Sequence, residues 1–240
     1  MRLDKYLSYA LNITRSEIGI FIKKNDILVN DIKVIKKDYK IDEDKDIIKV
    51  NGSIITYKKF VYYMFNKPSG YVCSKKGFGN NTIYDFFEDT KYDLSSIGRL
   101  DKDTEGLLII TNDGSLNHFL TSPTNHIDKK YYVEIDSSLS DIEIKEFEKG
   151  IIINDGDNNP FKTECAKIEK VSDNKYYVTI HEGKFHQIKR MFAYFKKEVT
   201  YLKRVSFGKI NLDSNLDLGK YRELTADELE LLKEKYISVK

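Results

Sequence analysis

The chain has 240 residues, of which 40% are hydrophobic and 32% charged, a composition typical of one or two folded, soluble domains. Its apolar runs are far shorter than the roughly 20 residues of a membrane-spanning helix. No charged-then-apolar leader opens the chain, so we expect a cytoplasmic protein. Cys73 and Cys165 form no CxxC pair, and the four histidines show no ligand spacing, so we expect neither a disulfide framework nor a metal site.

The net charge is only +2, but positive charge is concentrated in two regions. Residues 1–40 hold nine Lys/Arg against five acids, and residues 183–209 hold eight Lys/Arg against Glu198 alone. Two basic regions in a nearly neutral chain indicate two contacts with a polyanion. The alternative is that they are solvated faces of lysine-rich helices.

The start of the chain predicts a compact unit of two helices followed by short strands. Apolar residues at helical spacing indicate the first helix: Leu3, Tyr6, Leu7 and Ala10. Thr14 and Glu17 have the spacing of a capping box, which predicts the start of the second helix. Asn30 and Asp31 tolerate turn backbone angles and predict a hairpin. Residues 54–59 are interpreted as a linker.

Strands and helices alternate irregularly from Phe60 onward. Predicted strands are FVYYMF, LLIIT, KKYYVEI, FKTECAKIEKV and KYYVTI, and predicted helices are SLNHFL, DIEIKEFEK, KFHQIKRMFAYF and TADELELLKEKY. This order favours the α+β class, with a mixed, largely antiparallel sheet flanked by helices, over a doubly wound parallel sheet. We therefore expect two domains, residues 1–58 and 59–240.

The stretch GRLDKDTEGLLIITNDG places Asp101 between Arg99 and Lys102, ahead of an apolar strand. Opposite charges nearby favour the ionised carboxylate. Such a group, held by a rigid element, can act as a nucleophile or a base. By themselves these residues favour a structural turn with a surface ion pair. Asp103 and Asp113 are rival carboxylates, and Asp113 fits turn chemistry better.

Several ordered motifs carry a resemblance to a known family. The segment RLDKYL…TRSEIGIFIKKNDILVND resembles the small RNA-binding module of ribosomal protein S-four type, although both glycines of its last element are replaced. NKPSGYVCS, HIDKKYYVEI and HEGKFHQIKRMF then surround the GRLD motif in order. Together they are similar to the RsuA family of bacterial rRNA pseudouridine synthases. HQIKRMF is closer to members that modify 16S rRNA of the small subunit than to large-subunit members.

The resemblance implies isomerisation of a specific uridine to pseudouridine in ribosomal RNA, without redox chemistry, cofactor or metal. Asp101 matches the catalytic aspartate of the family, and the choice between attack on the sugar, attack on the base and removal of a ribose proton stays open. Tyr131 matches the tyrosine of Lys-x-Tyr, which stacks on the base or takes part in proton transfer. Lys189 or Arg190 is expected to pair with Asp101, and Ile188 to pack beneath the site.

Basic and polar side chains around these motifs are candidates for contacts with RNA. They are Arg2, Lys5, Arg15, Lys23, Lys24, Lys67, Arg99, Lys129, Lys184, His186 and Gln187. The N-terminal members would neutralise phosphates and make binding depend on salt. Lys129 also fits a surface charge at a strand end, and His186 and Gln187 also fit bracing of their loop.

The expected partner is ribosomal RNA, and the choice between naked RNA and a partly assembled small subunit with its ribosomal proteins stays open; the expected state is a monomer away from membranes. One alternative is a non-catalytic RNA-binding or ribosome-assembly factor with the same fold. A second is a large-subunit rRNA pseudouridine synthase. A third is a metal-dependent nuclease using Asp101, Asp103 and Asp113, which would require these carboxylates to cluster around magnesium.

Overall fold

The computed structural model describes residues 1–43, 45–90 and 92–239. Backbone contacts divide the chain into two compact units, Met1–Lys59 and Phe60–Lys240. Within the described ranges, no helix has both the length and the apolar character that crossing a membrane requires.

The first unit packs two helices against a small antiparallel sheet. Its elements are α1 (Leu3–Leu11), α2 (Arg15–Lys24), β1 (Ile27–Val29), β2 (Ile32–Lys33), β3 (Ile48–Val50) and β4 (Ser53–Ile54). The strand order is β2-β1-β3-β4. The apolar faces of both helices are buried against the sheet, with Leu3, Leu7 and Ile18 inaccessible to solvent.

Local sequence signals determine where these elements begin and end. The Glu17 carboxylate accepts a hydrogen bond from Thr14 N at 2.9 Å, so the predicted capping box is confirmed as the start of α2. Asn30 and Asp31 have φ of 50° and 64°, and they form the predicted turn between β1 and β2. The predicted linker overlaps β4 at its first residue.

The second unit is built on one large sheet with helices on both faces. Its strands are β5 (Tyr62–Lys67), β6 (Ser95–Ser96), β7 (Glu105–Thr111), β8 (Lys129–Ile135), β9 (Ile152–Asn154), β10 (Pro160–Lys162), β11 (Lys167–Ser172), β12 (Lys175–Ile180), β13 (Val199–Phe207), β14 (Ile210–Asn211) and β15 (Tyr221–Glu223). Its helices are α3 (Gly114–Thr121), α4 (Asp141–Glu148), α5 (Gln187–Tyr194) and α6 (Ala226–Ser238), with 3-10 turns at Ile83–Phe87 and Pro123–Asn125.

The main sheet runs in the order β11-β12-β8-β13-β7-β5-β15, with β14 beside β13 and β6 beside β7. Neighbouring strands are antiparallel except β7 and β13, so the predicted mixed, largely antiparallel sheet is confirmed. A smaller ribbon joins β9 to β10. Side chains of β5 and β7 alternate between two apolar cores, with Phe65 facing one core and Met64 the other.

The parallel contact between β7 and β13 is short and very close. Only Glu105 with Lys203 and Gly106 with Arg204 are in register there, among the described residues. Gly106 has φ of +99°, and a Cβ at this position would lie 2.2 Å from Arg204 O. The glycine of the motif TEGLL is therefore required both by its backbone conformation and by the neighbouring strand.

One predicted strand is wrong in its extent. FKTECAKIEKV was expected to be continuous, but the structure divides it into β10 and β11. Between them, Thr163 N donates to Ile151 O and Ala166 N donates to Glu148 O. The backbone therefore turns back to the end of α4 instead of continuing beside β12.

Candidate active site

Asp101 lies in the loop that leads from β6 into β7. Thr104 N donates to Asp101 O at 3.1 Å, which closes a tight turn. Leu100 points into the apolar core, while the Asp101 side chain keeps about a quarter of its surface exposed. The turn thus presents a carboxylate at the edge of the sheet while its neighbour anchors the loop.

Lys67, the last residue of β5, holds this loop from beneath. Its side chain is fully buried, and its Nζ lies 3.1 Å from Asp101 O, 3.1 Å from Lys102 O and 2.8 Å from Thr104 O. Burial holds the pKa of the Lys67 amine below its ordinary value. The sequence-based assignment of Lys67 to an RNA contact is therefore wrong: the amine is inaccessible to a phosphate and binds loop carbonyls.

The segment after Lys67 adds a second brace to the same loop. Gly70 N donates to Lys102 O at 2.8 Å. The Cys73 thiol lies 3.4 Å from both Leu100 N and Leu100 O, accepting from the first and donating to the second. Burial raises the pKa of this thiol. Asp101 is thus flanked on both sides by backbone that the NKPSGYVC segment holds in place.

His186, in the loop before α5, and Lys189, on α5, bring their side chains to Asp101. His186 Nε2 lies 3.6 Å from Asp101 Oδ1, and Lys189 Nζ lies 4.0 Å from Asp101 Oδ2. The ammonium of Lys189 is closer to Asp103, at 2.5 Å from both carboxylate oxygens. Burial opposes ionisation of Asp103, but the hydrogen bonds from Lys189 hold the pKa of that carboxyl below its usual value.

Gln187 fixes the backbone that presents His186. Its side-chain oxygen accepts from Lys184 N at 3.0 Å, and its amide nitrogen donates to Glu182 Oε1 at 2.6 Å. Gln187 is buried, and His186 has φ of +51° at the start of α5. The left-handed backbone turns the imidazole toward Asp101, and Gln187 stabilises that turn.

A depression in the surface brings many of the residues singled out from the sequence together. It is lined by Arg99, Asp101, Tyr131, Lys184, His186, Gln187 and Ile188. Tyr131 comes from β8 and is largely buried, while Ile180 and Leu202 complete the apolar part of the lining. The arrangement offers a carboxylate, cations and an aromatic ring within one open site, which suits a reaction on a flat, polar base.

Arg190 points away from this depression. Its Nη1 donates to Asn154 O at 2.5 Å, and its guanidinium lies 5.3 Å from the ring centre of Phe185. Because adjacent helical residues diverge by about 100°, Lys189 and Arg190 cannot both face Asp101. The structure brings Lys189 to the carboxylate.

A larger cavity of about 230 Å³ lies elsewhere, beside α3 and α6. Leu120, Phe207 and Leu232 line it, and its lining includes none of the site residues proposed from the sequence. Its opposite charges are already paired, as in the contact of Lys209 with Glu234 at 2.6 Å. The smaller depression at Asp101 is therefore the better candidate on chemical grounds.

The N-terminal candidates for contacts with RNA lie on the first unit, and some of them already contact other side chains. The Arg2 guanidinium binds the Asp4 carboxylate at 2.7 Å, and Lys5 Nζ lies 5.7 Å from the Tyr9 ring centre. The remaining three are exposed on α2: Arg15, Lys23 and Lys24. These three are the most accessible of the group for a contact with phosphate.

Lys129 is engaged with backbone at the start of β8. Its Nζ donates to Ile127 O at 2.8 Å and to His181 O at 2.7 Å. Burial, followed by the nearby charge of Arg204, lowers the pKa of Lys129 to about 8. This geometry corrects the assignment to a phosphate contact, because the amine is directed at carbonyl groups of its own fold.

The lowered pKa of Lys129 predicts a pH dependence of stability. Between about 8 and the ordinary value of 10.5, the unfolded chain holds a proton that the folded chain lacks. We therefore expect the free energy of unfolding of the wild type, relative to Lys129→Met, to rise as pH increases through this window. Urea denaturation of both proteins at several pH values measures the difference, and titrations common to both cancel. A difference that stays constant with pH would contradict the assignment.

Sequence analysis missed the contributions of Lys67, Cys73 and Asp103 to the site. The sequence did contain a signal that Lys67 is buried. This lysine ends a strand whose preceding residues are mostly apolar and aromatic, as expected for a strand in the core. For Cys73 and Asp103 nothing in the local sequence indicates the partner, since Leu100 and Lys189 are distant along the chain.

Comparisons with known proteins found similar sequences. The profile of the family described as RNA pseudouridylate synthase matches residues 61–194. The "Uncharacterized RNA pseudouridine synthase YtzG" of Bacillus subtilis (strain 168) is 39% identical over 240 residues, covering 98% of this chain and 99% of that protein. The "Ribosomal small subunit pseudouridine synthase A" of Escherichia coli (strain K12) is 35% identical over 230 residues, covering 95% and 98%.

A solved structure extends the similarity to the fold. The protein described as "Crystal structure of pseudouridylate synthase" superposes with a TM-score of 0.65 at 35% sequence identity, covering 97% of this chain and 99% of that one. Both its fold and its sequence are therefore similar over nearly the full length. From the family match, the identity to the curated relatives and this structural similarity, the chain belongs to the RNA pseudouridylate synthase family.

Proposed function

We propose that this protein converts a specific uridine of 16S ribosomal RNA to pseudouridine. Curated relatives that are 35–37% identical over at least 95% of the chain carry the name ribosomal small subunit pseudouridine synthase A. The observation that carries the proposal is the meeting of Asp101, Tyr131 and His186 around one depression in a member of this family, with Lys189 Nζ 4.0 Å from the Asp101 carboxylate.

Asp101 is the proposed catalytic residue. In the reaction, the bond between the ribose C1′ and uracil N1 breaks, the base rotates, and C1′ bonds to C5. The proton leaves C5 and N1 gains one, so atoms and electrons balance without an oxidant, a reductant or a cofactor. A carboxylate at this place can attack the sugar, attack the base, or remove a ribose proton.

Lys189 is the proposed cationic neighbour of Asp101, and the His186 imidazole is a second polar neighbour. An ammonium at 4.0 Å from Asp101 Oδ2 stabilises negative charge on the carboxylate. Because Lys189 also binds Asp103, the cation is shared between two carboxylates in the free protein. Arg190 is not proposed for this role, since its guanidinium is engaged with Asn154 O.

Tyr131 and the basic lining are proposed to hold an extruded nucleotide. A uridine must leave its stack before Asp101 reaches it, which costs a few kcal/mol. Stacking on an aromatic ring returns about 1–3 kcal/mol. Arg99 and Lys184 line the same depression and would contact the adjoining phosphates.

We propose that the two compact units divide the work, with the first binding RNA and the second carrying the reaction. The first unit holds the segment that resembles the S-four-type module, and Arg15, Lys23 and Lys24 are exposed on its α2. Binding by a linked module raises the effective concentration of RNA at the active site. The proposed substrate is 16S rRNA in the cytoplasm, either free or within a partly assembled small subunit, and a monomer is the proposed state.

Replacing Arg15, Lys23 and Lys24 together by alanine tests the first unit. We expect weaker RNA binding and a log–log salt slope reduced by about one for each phosphate that is no longer neutralised. Filter binding of a 16S rRNA transcript at several salt concentrations measures both quantities. The matched control replaces Lys36, Lys37 and Lys40, which are exposed in the same unit, with the same change of charge. An equal change of slope in both triple variants would argue against a specific role for α2.

Mapping of pseudouridine in ribosomal RNA tests the function as a whole. In cells lacking the protein, we expect one uridine of 16S rRNA to stay unmodified, and the wild-type gene to restore the modification. A missing pseudouridine in 23S rRNA instead would favour the large-subunit alternative. An unchanged map would favour the non-catalytic assembly factor. The nuclease alternative is disfavoured because Asp113 accepts from Leu116 N and Tyr62 OH, away from Asp101.

A further inference from the structure

A loop of residues 73–81, here called the Gly-Phe-Gly loop, projects beside Asp101. Its ends are closed by hydrogen bonds from Val72 N to Asn81 O and from Ile83 N to Val72 O, both 3.0 Å. Three consecutive residues at the tip have positive φ: Gly77 at 56°, Phe78 at 50° and Gly79 at 85°. A phenylalanine therefore sits between two glycines in a conformation that suits glycine.

Phe78 is exceptional in both backbone and exposure. In the described part of the chain, the other non-glycine residues with positive φ are Asn, Asp, His or Lys, all of them polar. The Phe78 ring is 79% exposed, the largest fraction among the exposed large hydrophobic side chains of the described residues. Neither the strained backbone nor the solvated ring stabilises the free protein, so the residue is expected to be retained for a contact made in function.

The tip is held in place and is not a loose turn. Asn80 donates from its backbone N and from its Nδ2 to Gly77 O, at 3.0 Å and 3.1 Å. A Cβ on Gly77 would lie 2.6 Å from Asn80 O, so no larger residue fits there. The ring of Phe78 is therefore presented to solvent on a preorganised backbone.

The Gly-Phe-Gly loop is attached to the chain on both sides of Asp101. At its base, the Cys73 thiol contacts the backbone N and O of Leu100. Near its tip, Lys102 Nζ donates to Asn80 Oδ1 at 2.8 Å. Leu100 and Lys102 are the immediate neighbours of Asp101. The same hydrogen bonds therefore connect the loop that carries the Phe78 ring with the loop that carries the Asp101 carboxylate.

The surroundings of Phe78 identify the kind of ligand. Lys75 and Lys76 precede the tip and are exposed, although Lys75 pairs with Asp93, and the other tip residues are glycine and asparagine. An isolated aromatic ring among lysines, without an apolar patch around it, is the arrangement that binds single-stranded nucleic acid through base stacking and phosphate contacts. A protein partner would instead require a contiguous apolar surface.

We propose that Phe78 is a base-stacking residue that binds a nucleobase flanking the uridine at Asp101. This inference rests on the proposed function, since it takes the ligand to be the RNA substrate. Stacking of the flanking base on Phe78 would hold the strand open while the target base occupies the depression lined by Tyr131.

Opposite effects on activity and stability test the proposal. Phe78→Asn removes the ring and supplies a residue that tolerates positive φ. We expect a higher melting temperature together with a decrease of about 10-fold in kcat/KM on a 16S rRNA transcript. Phe78→Tyr should keep kcat/KM, and Phe78→Leu should lose it as Phe78→Asn does. Ile142→Asn, at an apolar side chain 78% exposed on α4, is the control and should leave kcat/KM within about twofold.

Fluorescence provides a readout that does not depend on turnover. The chain has no tryptophan, so Phe78→Trp introduces a single reporter. We expect its emission to be quenched when the 16S rRNA transcript binds. Unquenched emission with RNA bound would overturn the assignment to a nucleobase. Unchanged kcat/KM in Phe78→Asn would also overturn it and leave the proposed function intact, whereas a wild type that forms no pseudouridine would refute the function itself.

Discussion

Replacement of Asp101 by asparagine is expected to abolish pseudouridine formation while RNA binding is retained. Asparagine has nearly the same shape but neither the charge nor the nucleophilic oxygen of the carboxylate, so each of the three chemical routes loses its reacting group. We expect the rate constant of a single turnover to fall by at least about 10³-fold. Pseudouridine mapping of a 16S rRNA transcript measures the product, and filter binding measures the affinity.

Asp103→Asn is the matched control for this prediction. It removes the same charge two residues away and frees Lys189 from its closer carboxylate partner. We expect this variant to keep the single-turnover rate within about 10-fold of the wild type, because Asp103 serves only to bind the cation. Product formation by Asp101→Asn at the wild-type rate would refute the assignment. An equal loss in both variants would show that the charge of the loop, and not the Asp101 carboxylate, is what matters.

Lys67→Met should impair catalysis because it removes the amine that holds the Asp101 loop. Methionine fills similar space but donates no hydrogen bond, so the carbonyls of Asp101, Lys102 and Thr104 lose their common donor. We expect the free energy of unfolding to fall by about 1–3 kcal/mol, the cost of buried carbonyls left without a donor. Displacement of the Asp101 loop by about 1 Å should lower kcat by about 10²-fold.

Urea denaturation and steady-state kinetics measure the two effects of Lys67→Met. Lys145→Met, at an exposed lysine of α4, removes the same charge without touching the loop and should change neither quantity. If Lys67→Met lowers kcat no more than Lys145→Met does, the loop does not depend on the buried amine. A loss of RNA affinity without loss of turnover would instead restore the original assignment of Lys67 to RNA.

Much of the fold follows from signals that act over a few residues. The capping box at Thr14 begins its helix as predicted, and capping boxes at Ser140 and Thr225 also begin helices, because the partners lie three positions away. The turn at Asn30 and Asp31 is equally local. The family motifs also locate Asp101 and Tyr131, whose side chains line a common depression.

What escaped sequence analysis depends on distant partners. Besides Pro68 O, the carbonyl acceptors of Lys67 lie 34 to 37 positions further along the chain, and a lysine beside a proline gives no hint of them. Which of Lys189 and Arg190 faces Asp101 depends on how α5 is rotated about its axis relative to the Asp101 loop. Only the packing of the helix determines that rotation. The strained backbone of Phe78 likewise follows from the closure of its loop by Asn80.

The short parallel contact between β7 and β13 is the border between two halves of the main sheet, and the residues of the candidate site come from both halves. Asp101 belongs to the half of the sheet that contains β7 and β5, whereas Tyr131 and Lys189 belong to the half that contains β8 and β13. Several side chains bind across this border: Arg204 Nε donates to Leu107 O and Tyr201 OH donates to Glu105 Oε2, both at 2.7 Å, and Lys189 Nζ donates to Asp103. Because Asp101 and Tyr131 lie on opposite sides of this border, the gap between carboxylate and ring depends on the contacts that cross it and not on the folding of either half alone.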